Sequence, residues 1–151
     1  MRVVRPYVVG AMVLGLAWTP VLAQNPLHES HIDGNVPTMP DFDKFMQRDL
    51  LAYFQAAVPG TTSVDWVLLR RSPTQSGVAY PKFYAWVKAS GNSSTPRQGA
   101  MRLAAVDRTH FKVTTFMSAE DVLANPDGVG AVFPAPLVEA VKSKAAAAKR
   151  P

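Results

Sequence analysis

No cysteine occurs anywhere in the chain. That excludes disulfide bonds, zinc sites built on cysteine and lipid attachment through a lipobox-type thiol. Small exported domains often rely on disulfides, so an exported domain of this composition has to be held by its apolar core alone. Long hydrophobic runs are missing too. The apolar stretch from Tyr7 to Trp18 spans twelve residues, against the roughly 20 that a helix needs to cross the hydrocarbon core of a bilayer. Motifs with fixed chemical spacing are likewise missing: there is no Gly-x-Ser-x-Gly elbow, no glycine-rich phosphate loop, no RNP-like motif and no internal repeat. No cofactor is implied.

The N-terminus carries a pattern of its own. Arg2 and Arg5 form a short positive region, the apolar run follows, and Pro20 breaks any helix before Val21-Leu22-Ala23. In this order they make a secretory signal peptide over residues 1–23, with cleavage expected between Ala23 and Gln24. An uncleaved membrane anchor is the alternative, and the length of the run argues against it. A cysteine-free, alanine-rich exported domain suits a periplasmic or secreted bacterial protein.

The charge is unevenly spread. The chain holds 16 Lys and Arg against 11 Asp and Glu. Removing Arg2 and Arg5 leaves 14 against 11, and setting aside Lys142, Lys144, Lys149 and Arg150 leaves 10 against 11 for residues 24–141. The interior is near neutral, and residues 142–151 read as a basic, alanine-rich tail. Such a tail is a solvated helix end, whose cations complement the helix dipole, or a contact for anionic lipid.

Residues 24–39 read as a flexible leader, with two prolines and little periodicity. A single domain is expected over 40–141. Thr38-Met39-Pro40-Asp41 has the form of a capping box, and Phe42, Phe45, Met46, Leu50, Tyr53, Phe54 and Ala57 recur at three-and-four spacing up to Pro59-Gly60. The period then falls to two. Four strands are expected around Val64–Leu69, Lys82–Ala89, Met101–Val106 and Phe111–Met117, with a polar loop over 90–99 and a tight turn at Asp107-Arg108-Thr109. Ser118-Ala119-Glu120-Asp121 opens a short helix to Asn125, and Phe133-Pro134-Ala135-Pro136 leads into a last one. The fold class is therefore α+β: an N-terminal helix on a four-stranded antiparallel meander, with two short C-terminal helices. This element order over 40–117 resembles the cystatin-like and nuclear-transport-factor-2-like architectures.

The alternation sorts the strands into two faces. Val64, Trp66, Leu68, Phe83, Ala85, Val87, Met101, Leu103, Ala105, Phe111, Val113 and Thr115 form one apolar face for the first helix. The other mixes Val67, Leu69, Tyr84, Trp86, Ala104, Val106 and Phe116 with Asp65, Lys82, Lys88, Arg102 and Lys112. It is too apolar to stay wet. The C-terminal helices, through Leu137, Val138 and Val141, are its expected cover; a homodimer partner, a protein target or a small ligand are the alternatives. Aromatic residues between lysines also suggest an RNA platform, a reading that an exported protein opposes.

Candidate chemistry is sparse. His28, His31 and Asp33 fall within six residues and are competent metal ligands, but in a flexible leader. Asp107 and His110 flank the tight turn and could pair as a general base, with Asp65 as a further carboxylate. No nucleophile accompanies them. The reading that follows is a non-covalent binding protein, an adaptor or inhibitor of another envelope or secreted protein, contacting it through Tyr84, Trp86, Lys82, Lys88, Arg102 and Lys112. A small enzyme with a pocket between helix and sheet, or metal handling by the leader, are the rivals.

Overall fold

The computed structural model describes residues 33–76, 79–92 and 96–149. A short 3-10 helix, Asp33–Asn35, leads to α1 (Met39–Ala57). Its buried side chains are Phe42, Met46, Leu50 and Phe54. Their spacing of four places them on one stripe of the helix, and that stripe lies on the sheet. Thr38 does occupy the N-cap position, but its side chain makes no capping bond. Its carbonyl accepts instead from the amides of Asp41 and Phe42, so the expected capping box is not formed there. The helix ends at Pro59-Gly60, where Gly60 has φ +90; a side chain would be strained in that conformation.

The sheet has the order β1 (Thr61–Leu68), β2 (Lys82–Gly91), β3 (Arg97–Asp107), β4 (His110–Ser118), each strand antiparallel to the next. The third strand starts at Arg97, inside the stretch expected to be loop. Sequence alternation could not show this, because Arg97, Gln98 and Gly99 carry no apolar signal; they are paired through Ala89, Lys88 and Val87 of β2.

Two bulges correct the expected faces. Leu103 pairs with Val113 while Arg102 pairs with Thr115, so Thr114 is an extra residue in β4. One extra residue reverses the alternation of all that follows it. Phe116 therefore packs with the first core, and Thr115 lies on the opposite face beside Arg102, the reverse of strict alternation. Val106 is the second extra residue, just before the Arg108–Thr109 turn. Neither turn residue has positive φ, which rules out the primed turns that match strand twist, and the bulge adds local twist there.

Gly99 makes room for the displaced ring. A Cβ at that position would meet Phe116 Cε2 at 2.8 Å, as well as the Met117 carbonyl. The ring instead stands edge-on to Phe54, 5.3 Å between centroids, and takes the Arg97 guanidinium at 5.5 Å.

The other face is closed by the C-terminal helices. After β4 come α2 (Ala119–Ala124), a 3-10 turn at Pro126–Gly128, the one-turn α3 (Val129–Val132) and α4 (Ala135–Ala148). The short α3 was not expected from the sequence. Val122, Val129, Phe133, Leu137, Val141 and Ala145 pack on Tyr84, Trp86 and Ala100. The helix thus continues through the stretch read as a basic tail and contributes buried Ala145 from it. The result is helix, sheet, helices: three layers with an apolar core on each side of the sheet. Each large side chain buried in them stabilises by roughly 1.5–3 kcal/mol.

Candidate functional site

Register sets what each face of the sheet displays. Opposed residues of an antiparallel pair share a face, so the second face reads in four rows. Asp65, Lys88 and Gln98 form the first, Val67, Trp86, Ala100 and Met117 the second. Tyr84, Arg102 and Thr115 form the third, continued toward β1 by Leu69, whose amide donates to the Tyr84 carbonyl at 2.8 Å. Lys82, Ala104 and Lys112 make the last.

The two middle rows lie under α4. Tyr84 is 4% exposed and Trp86 8%. The Tyr84 hydroxyl is hydrogen-bonded to Thr74 Oγ1 at 2.8 Å, and its ring lies 6.0 Å from that of Phe133. The contact surface expected around these two aromatics is therefore occupied by the chain itself. Arg102 is also committed internally. Its Nε donates to Thr114 Oγ1 at 3.0 Å, Nη2 to Thr115 Oγ1 at 3.1 Å and Nη1 to the Val132 carbonyl at 3.5 Å. It ties the β4 bulge to α3.

The outer rows stay open. Lys88 and Asp65, both exposed, face each other across β1 and β2 without an ion pair. At the opposite end, half-buried Lys82 and exposed Lys112 flank Ala104, about 10 Å apart across two strand spacings. Arg70 and Arg71 leave β1 at this same end. None of these four cations has an acidic partner among the described residues.

The expected Asp–His pair is rearranged. Asp107 and His110 do face each other across the β3–β4 turn. The Asp107 carboxylate, however, accepts from the Thr109 amide at 2.7 Å and hydroxyl at 2.8 Å. These bonds hold it below the usual carboxylate range. His110 Nδ1 lies instead 3.3 Å from Asp49 Oδ2, on α1. Asp49 carries no sequence motif, and only the docking of α1 on the hairpin brings it there. Its Oδ2 also accepts from the Phe111 amide at 2.7 Å, and Oδ1 from Arg48 Nε at 2.8 Å. Such a carboxylate could orient an imidazole for proton transfer. Here Oδ2 fastens α1 to the hairpin while Oδ1 holds Arg48 on the same helix, and the imidazole is half exposed with no nucleophile bonded to it among the described residues. Asp65 sits toward the far end of β1 and joins neither residue. His28 and His31 fall outside the described residues; Asp33 opens the first 3-10 helix. Among the described residues no three metal-ligating side chains come together.

An open cleft of about 1010 Å³ lies at the strand ends away from Lys82 and Lys112, lined by Gly60, Gly91, Arg97, Glu120, Leu123 and Lys149 among others. Its charges are mixed, and Arg97 is already stacked on Phe116.

The chain matches no family model, no curated protein and no solved structure. The likeness to cystatin-like and nuclear-transport-factor-2-like folds stays at the level of element order.

Proposed function

We propose that the chain is an exported, non-covalent binding protein, an adaptor or inhibitor whose envelope partner presents an acidic surface to the cationic end of the sheet. One observation carries the reading. Arg70, Arg71, Lys82 and Lys112 gather at one end of the sheet, and none has an acidic partner among the described residues. Unpaired cations gathered at one end steer an anionic partner from a distance, and an acidic partner surface compensates their desolvation on contact. Closure of the sheet over Tyr84 and Trp86 moves the contact from the aromatic middle to this end.

Affinity capture from the native envelope tests it. The Lys82→Glu/Lys112→Glu double variant should lose the partner that the unaltered protein retains, and added salt should release that partner. Equal capture by the variant would overturn the reading. Trp86→Ala is a poor probe of binding, because it opens the second core.

A further inference from the structure

We infer that the outer edge of β1 pairs with the same edge of a second copy, joining two sheets into one about a twofold axis through Val67.

The phase of the β1–β2 ladder defines that edge. The Leu69 amide donates to the Tyr84 carbonyl, and alternate residues inward, Val67, Asp65 and Ser63, face Trp86, Lys88 and Ser90 in the same phase. The N–H and C=O groups of Val64, Trp66 and Leu68 therefore point away from the sheet. Gln47 confirms the direction, since its Nε2 reaches the Val64 carbonyl from outside at 2.9 Å.

The molecule's edges are protected unequally. At β4 two bulges, Thr114 in β4 and Val106 in β3, break the ladder between them, and Asp49 occupies the outward Phe111 amide. On β1 the bulge between Thr61 and Ser63 and the Gln47 bond protect the beginning. From Trp66 to Leu68 the strand is regular, and no backbone group of the described residues bonds its outer side. Native edges are normally blunted by such devices, so a regular, uncovered stretch is where another strand can add.

The free stretch is symmetric about Val67, which is 48% exposed. An antiparallel copy centred there sets Trp66 of each chain against Leu68 of the other. Their four outward donors and four outward acceptors then make four hydrogen bonds, one acceptor to each donor, and Val67 meets its counterpart side by side. The register also places Asp65 opposite Leu69 of the second copy, next to that copy's Arg70-Arg71, which gives opposite charges at both ends of the contact. Val64, whose carbonyl already serves Gln47, is left out. A twofold contact of this kind is self-complementary and closed.

Sedimentation velocity over a concentration series tests this with the full chain. The unaltered protein should self-associate with rising concentration. Val67→Lys should weaken that at least about tenfold, because like charges would stand directly opposite, and an equimolar mixture of Val67→Lys with Val67→Glu should restore it. Hydrogen exchange needs no variant: the Trp66 and Leu68 amides should be protected at high concentration and exchange fast on dilution. A monomer throughout the series, self-association untouched by Val67→Lys, or concentration-independent exchange of those amides would each overturn the inference. Loss of partner capture in the lysine variants leaves these readouts unmoved, so the two proposals fail separately.

Discussion

Asp49 shows how much one side chain can settle. It sits on α1 with its side chain 8% exposed and supplies the partner for the outward amide of Phe111. Gln47, two positions earlier, does the same for the Val64 carbonyl on the opposite edge strand. Positions two apart on a helix point about 200° from each other, so α1 straddles the sheet and fastens both edges. Asp49→Ala should cost roughly 1–3 kcal/mol in urea unfolding, since it leaves a part-buried N–H without a partner. His110→Gln, at a half-exposed position, should stay within about 0.5 kcal/mol. Equal losses from both would show that the imidazole carries stability that this geometry does not give it. Neither role was visible in the sequence, where Asp49 is one more polar position on an amphipathic wheel.

Among elements, α2 is the clearest case of local chemistry matching structure. Ser118 accepts from the Asp121 amide at 3.1 Å while Asp121 accepts from the Ser118 amide at 3.1 Å and hydroxyl at 2.6 Å, the reciprocal box that the sequence suggests. Ser118→Ala should cost about 1 kcal/mol by thermal or urea unfolding. The Ser118 hydroxyl, and after it the Ser118 amide, holds the Asp121 carboxyl below its ordinary range. A depressed carboxylate lends stability above its unfolded-state pKa and loses it as pH falls through the lower folded value. Acid titration of stability should therefore be shallower in Asp121→Asn than in the unaltered chain; an unchanged slope would remove this contribution. The strands teach the opposite lesson. Periodicity located all four, yet it assigned Thr115 and Phe116 to the wrong faces. A bulge is set by what must fit across the sheet, here Phe116 over Gly99 and Arg102 between two threonines, and single-strand alternation contains neither fact. The start of β3 was hidden for a related reason: Arg97 to Gly99 are strand residues through their partners alone.

At the scale of the whole molecule, the α+β architecture was legible because both cores are written in apolar spacing. The cover of the second face was legible as well, through Leu137, Val138 and Val141. Where a partner would then dock was not, because the aromatic residues that mark an interface also mark a core. Tyr84 and Trp86 fit both descriptions, and the packing of α4 decides between them. Ending the chain after Pro134 should tell the same story from the other side. Without α4 the pair becomes wet, and the shortened protein should bind a hydrophobic dye and unfold at lower urea. A cooperative fold of undiminished stability would mean that the second core contributes little.

The position of α4 in the chain has a consequence for how the protein is made. Synthesis delivers α1 and all four strands before residues 135–148, so a nascent chain carries a second sheet face with only Val122, Val129 and Phe133 to lay on it. The first core is complete in the chain by Phe116, and the second waits for the Leu137, Val141 and Ala145 side chains.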